Sequence, residues 1–185
     1  ESFFVDGGLT VGATISASKP VQVTLLTGDL CENYESRWYV LFGRDQWSDS
    51  YYNPVSTPLQ GASDNALDRL TTVFLYNPES SGELTVQFMT QAGLQTPISV
   101  PAQGVRDVAM PANSGAHFFT AGGSPFAAIA AIDTATSRNM DSDWGFALIP
   151  ETQLTRQAQV GWGAGRDPNS TVNPNENGSP VWVTP

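Results

Sequence analysis

Apolar residues recur with a period of two over short distances along this chain and then stop at Gly, Pro, Asn or Ser. In LTVGATISA, Leu9, Val11, Ala13 and Ile15 fall on one face, the spacing of a half-buried strand. Lys19-Pro20 interrupts that ladder, because proline fixes its own φ and has no N–H to donate. Val21, Val23 and Leu25 resume the alternation, so residues 9–26 predict a hairpin. Trp38–Phe42 predicts a third strand and Tyr51–Val55 a fourth, completing a compact antiparallel unit. Leu70–Tyr76, Glu83–Thr90, Gln95–Pro101 and Val105–Met110 predict a second set of four, divided by Asn77-Pro78, Ser81-Gly82 and Ala102-Gln103-Gly104, ordinary turn chemistry. The one helical candidate is Ser63–Leu70, two turns at most, with Ser63 as N-cap.

From Ala116 the first pattern returns. AHFF, PFAAIAAI, WGFALIP and QAQVGWGAG follow the order of ATIS, PVQVTLL, WYVLF and YYNPV. Pro20 and Pro125 are 105 residues apart (125 − 20), and Trp38 and Trp144 are 106 apart (144 − 38). About twelve short strands with a turn signal every eight to twelve residues predict an all-β, antiparallel fold of repeated four-stranded units, arranged as propeller-like blades or as a two-sheet β-sandwich. Three units cannot close a propeller, which favours the sandwich.

Residues 1–185 are read as a single module and as a piece of a longer polypeptide, with 166–180 an Asn- and Pro-rich loop or linker. Only 14 % of residues are charged and 40 % are hydrophobic, the balance of a folded domain. The net charge of −10, with one lysine against seven arginines, repels phosphate and argues against a nucleic-acid partner. No run approaches the roughly 20 apolar residues of a membrane helix. Cys31 is the single cysteine, which precludes an internal disulfide; it is expected to be a buried thiol or to pair outside the chain.

The order of elements in Ala13–Pro54, a strand, S-K-P-V-x-V, an acidic loop, W-Y-x-L, then Trp47 and Y-Y-x-P, resembles the repeats of the IgGFc-binding protein N-terminal domain family. The later T-T-V strand at 71–73 fits the same pattern, and the likeness extends to Gly165. That resemblance implies a part of a large secreted or cell-surface protein. It transfers no binding residues, because the matching positions are turn prolines and strand aromatics.

Candidate chemistry is sparse. Hydrolysis needs a nucleophile with a base, or paired carboxylates, and His117, the single histidine, lies in a strand with no evident partner; the chain is read as not an enzyme. Calcium is the expected ion where oxygen ligands cluster: Asp29, Glu32 and Glu35 in one loop, Asp133, Asp141 and Asp143 in its equivalent, against the plainer reading of solvated loop acids. The tail Asn173–Gly178 imitates a calcium-loop spacing but has Thr184 where a bidentate Glu is needed. Trp47, Tyr51 and Tyr52, with Trp162 in the later unit, are candidate ligand contacts, able to stack on a sugar ring or anchor a protein partner; core capping is the alternative. Two N-x-[ST] sequons, at Asn169 and Asn177, mark a surface loop in a glycosylating host.

The expectation is therefore an extracellular adhesion or structural module, whose partners are a protein or glycan on a surface, or copies of itself. The alternatives are a self-assembling filament or surface-layer subunit, with truncated end strands inviting edge-to-edge pairing, and a carbohydrate-binding domain.

Overall fold

In the computed structural model, the residues described are 8–27, 37–54, 71–111, 114–132 and 145–159. They form eleven strands and two single-turn 3-10 helices. The strands are β1 (Val23–Thr27), β2 (Arg37–Leu41), β3 (Ser50–Asn53), β4 (Thr71–Tyr76), β5 (Leu84–Thr90), β6 (Gly93–Leu94), β7 (Ile98–Val100), β8 (Val105–Ala109), β9 (Ala116–Phe119), β10 (Ala127–Ile132) and β11 (Gly145–Ala147). Every pairing is antiparallel. The sandwich alternative holds, and among the described residues no closed barrel forms.

One sheet has the order β11-β10-β4-β8 and the facing sheet β3-β9-β5-β6, with β7 also on β5. The predicted four-stranded units are therefore dealt between sheets rather than kept whole. β4 and β8 lie in the first sheet, while β5 and β7, between them in sequence, lie in the second. The turns that carry the chain across are well tied. Asn77, fully buried, donates from Nδ2 to the carbonyls of Gly82 and Val100 at 3.2 and 3.1 Å and accepts from the Glu79 N–H at 3.0 Å. One side chain thus fixes both ends of the β4–β5 turn to β7, satisfying backbone groups that burial would otherwise penalise. The return turn, Pro101–Gly104, places Gln103 at φ 50, a left-handed conformation in which a side chain is strained.

The core lies between the sheets. Val73, Leu75, Ala128 and Ala130 of the first sheet meet Tyr51, Leu84, Val86, Val100, Ala116 and Phe118 of the second, with Phe126, Leu148 and Met110 closing the ends. Phe88 and Phe118 stack across β5 and β9 at 4.9 Å, a cross-strand aromatic pair of the kind that stabilises sheets. Alanine replaces branched residues in β10 because that strand has β4 and β11 on its flanks and residues packed on both faces; Ala128, Ala130 and Ala131 are all buried.

The hairpin predicted over residues 9–26 does not form. β1 instead pairs with β2, Val23 opposite Leu41 and Thr27 opposite Arg37. Residues 8–22 are exposed throughout, with a turn at Gly12 closed by the Ala13 N–H on the Thr10 carbonyl. Alternation specifies a strand only where a neighbour supplies the ladder, and among the described residues none borders 9–15. Likewise β3 leaves its predicted unit to join β9, Tyr52 opposite His117.

β2 lies against β11, and the reason for Gly145 is visible there. A Cβ at that position would strike the Tyr39 hydroxyl and approach the Ala130 carbonyl to 2.8 Å.

Candidate functional site

The outward face of the β3-β9-β5-β6 sheet gathers most of the described chemistry. Alternation on β9 turns Ala116 and Phe118 into the core and His117 and Phe119 outward. The register then puts Tyr52 beside His117 on one flank and Met89 on the other, with Leu94 next to Met89. The three rings form a continuous stack: Tyr52 on His117 at 4.3 Å and 5°, His117 on Phe119 at 4.7 Å and 26°. Met89 is 42 % and Leu94 61 % exposed, so the stack runs into an open apolar surface.

Polar groups border it. Ser50 Oγ and His117 Nε2 are 2.7 Å apart, and Glu151, from the 3-10 turn at Glu151–Gln153, reaches the Tyr52 hydroxyl at 3.5 Å. Burial lowers the affinity of His117 for a proton, and the Glu151 charge works weakly in the opposite direction. At neutral pH the imidazole is therefore neutral, with one ring nitrogen engaged by Ser50.

A serine hydroxyl on a histidine nitrogen is the first half of a nucleophile–base pair. Here, among the described residues, the pair is enclosed. Ser50 is only 5 % exposed, the rings of Tyr52 and Phe119 both stack on the imidazole, and the carboxylate of Glu151 is engaged with the Tyr52 hydroxyl. The Ser50–His117 bond pins β3 to β9 on the solvent side of the sheet.

The aromatic residues expected to act together are separated. Tyr51 turns inward, 2 % exposed, because strand alternation sends its neighbour Tyr52 outward. Its hydroxyl donates to the Phe126 carbonyl at 2.7 Å and accepts from the Ser48 N–H at 3.0 Å, and its ring meets Phe126 edge-on. Tyr51 is a pin between the sheets, not a ligand contact. Trp47 is half-buried; its indole N–H is taken by the Phe42 carbonyl and its ring packs edge-on against Tyr76 on the other sheet. Tyr52 alone keeps an outward position. Trp162 lies outside the described residues, as do Asp29, Glu32, Glu35, Asp133, Asp141, Asp143, Cys31 and the tail. Among the described residues no group of three His, Cys, Asp or Glu side chains stands close enough to hold a metal ion, and no helix is long and apolar enough to cross a membrane.

His117, Phe119 and Met89 were missed as surface contacts in the sequence. Period two marks them as the outward residues of their strands, but which strands would be neighbours is fixed only by the crossing of β3 to β9.

A concavity of about 250 Å³ lies where the β1-β2 hairpin meets the first sheet, lined by Thr27, Arg37, Tyr39, Phe74, Ile129 and Ala131. Burial pushes the Tyr39 phenol up, offset in part by Arg37 and by a hydrogen bond with Thr27. Neither a family model, nor a curated protein, nor a solved structure matches this chain.

Proposed function

We propose that this chain is a non-enzymatic module of a secreted or cell-surface protein that works by surface contact, with the outer face of the β3-β9-β5-β6 sheet as the contact surface. The observation that carries this reading is the Tyr52–His117–Phe119 stack continuing into exposed Met89 and Leu94. Aromatic side chains bury large area at low entropic cost and Met adapts its shape to what it meets, which is why both are enriched in protein interfaces. A protein partner suits this face better than a sugar. Rings stacked on each other turn their faces inward, so the face-on platform a pyranose needs is reduced to the ends of the stack.

The secreted or surface setting is supported by the resemblance of Ala13–Pro54 to the IgGFc-binding protein N-terminal repeats and by the acidic composition. Calcium belongs to the same reading, as an ion held by the acids that join β1 to β2 and β10 to β11; a rise in melting temperature with millimolar calcium, reversed by chelator, tests it.

The test of the contact surface is binding of the labelled chain to intact cells and to immobilised extracellular-matrix proteins, beside Tyr52→Ala and Met89→Glu. Met89 is exposed and Tyr52 half-buried on the outer face, and unchanged melting of both variants would certify folding. Loss of binding in both supports the reading. Equal binding by parent and variants, or ester or peptide hydrolysis that disappears with Ser50→Ala, overturns it.

A further inference from the structure

The three methionines of this chain differ in their surroundings. Met110 is fully buried in the core, and Met140 lies outside the described residues. Met89 stands on the outer face of β5, 42 % exposed. Its neighbours on that face are His117 of β9 and Leu94 of β6, each directly opposite it in the register, a placement that brings the side chains within reach of one another. Met89 is thus the junction at which the ring stack passes into apolar surface.

The strand itself is held by other groups. Backbone ladders run from β5 to β6, β7 and β9, and on the inner side Leu84 and Val86 are buried in the core while Phe88 stacks on Phe118. The Met89 thioether can therefore change chemically without moving the strand. Peroxides oxidise methionine to a sulfoxide, turning a flexible apolar side chain into a polar one. On this face the change falls where apolarity is concentrated.

We propose that Met89 is an oxidation site built into this face, at which hydrogen peroxide converts an apolar contact into a polar one, reversibly and with the sheet still folded. The sulfur lone pair attacks one peroxide oxygen, an S–O bond forms and the O–O bond breaks. Sulfur gives up two electrons, and the departing hydroxide takes the proton from the transferred oxygen and leaves as water. The return step takes two electrons from a thiol donor through the methionine sulfoxide reductases, one for each epimer, and releases the oxygen as water. A sulfoxide oxygen accepts hydrogen bonds from water, and covering it without a donor is unfavourable. The effect on a partner rests on the contact-surface reading; the oxidation site does not.

The test treats the folded 185-residue chain with graded hydrogen peroxide. Peptide mapping by mass spectrometry gives the order of oxidation, with Met140 and Cys31 followed through their own peptides. His117 is the single histidine, so its ring protons report the state of the neighbouring sulfur by NMR. Hydrophobic-interaction chromatography reads the apolarity of the surface, and melting checks the fold. Met89→Leu keeps volume and apolarity but has no sulfur to oxidise.

Met89 should oxidise about tenfold or more faster than Met110, whose sulfur is reached only when the core opens. The His117 resonances move and the retention falls in step with Met89 sulfoxide, melting is unchanged, reductase with a thiol donor reverses both, and Met89→Leu shows neither. Oxidation of Met89 no faster than that of Met110 overturns the proposal, as does a sulfoxide that leaves His117 and the retention unaltered or unfolds the chain. Binding to the same cells and matrix proteins before and after peroxide separates the two readings. An untreated chain that does not bind removes the contact surface and leaves the oxidation site to be judged by the other measurements. A chain that binds equally well before and after removes the effect proposed here and leaves the contact surface standing.

Discussion

Removing one oxygen atom tests how the two sheets are joined. Tyr51→Phe keeps the ring that packs edge-on against Phe126 at 4.9 Å and deletes the hydroxyl that donates to the Phe126 carbonyl at 2.7 Å and accepts from the Ser48 N–H at 3.0 Å. Each hydrogen bond contributes about 1 kcal/mol net, and a buried partner left without a substitute costs about 1–3 kcal/mol. Ser48 is 5 % and Phe126 0 % exposed, so water reaches neither group easily. The expected loss is about 2–3 kcal/mol, which for a chain of this size lowers the melting temperature by about 5–10 °C. Urea denaturation followed by tryptophan fluorescence and thermal melting followed by circular dichroism both read it; the midpoint should move while the slope with denaturant stays constant. A melting temperature within about 1 °C of the parent would refute the reasoning. Loss of partner binding with no loss of stability would return Tyr51 to the ligand contacts from which its burial removes it.

Three further outcomes follow from the same geometry. Asn77→Asp replaces an amide donating to two carbonyls with an acceptor, costing about 3 kcal/mol or more at neutral pH; the buried carboxyl's pKa is raised, so the deficit is full above that raised value and shrinks as pH falls towards about 4, and a variant as stable as the parent at pH 7 would contradict the role given to Asn77. For His117 the folded-state pKa is lowered, chiefly by burial, so the unfolded chain takes up the proton first and stability falls as pH drops through about 6.5; His117→Phe keeps an aromatic ring in the stack and should abolish that segment of the pH dependence in denaturation curves, at the cost of a constant offset from the lost Ser50 contact. Gln103→Gly relieves a side chain at φ 50 and should stabilise by about 0.5–1 kcal/mol; a lower melting temperature would show that the Gln103 side chain contributes more than its backbone strain costs.

The strands were legible where turn residues bound an apolar run at both ends. Thr71–Tyr76 and Leu84–Thr90 appear almost at the expected bounds, because apolar runs between Asn-Pro and Ser-Gly turns leave few other solutions. The all-β class and the repeat follow from the same pattern. Partnership was not legible. Leu9–Ile15 has the alternation of a strand, yet among the described residues no strand borders it, and β3 carries its tyrosines to β9 across a sequence separation of 63 (116 − 53). That crossing decides the candidate site: it stacks Tyr52 on His117 and sends Tyr51 inward, whereas Tyr51-Tyr52 in sequence looks like a single aromatic edge. Asn77 reads as turn chemistry alone, and only the approach of Val100 makes it a tie between strands.

The exchange of β3 into the sheet of β9 also sets the order in which this chain can fold. The β1-β2 hairpin needs nothing beyond Leu41, but the sheet that β3 enters cannot close until Ala116–Phe119 has been made, and β4 has its second neighbour only when Ala127–Ile132 follows. Pairings so distant in sequence must be reached against loop-closure entropy, which slows folding. During synthesis, the aromatic strand Ser50–Asn53 therefore spends the time of more than sixty further residues without its neighbour, which makes it the segment most in need of protection from other nascent chains.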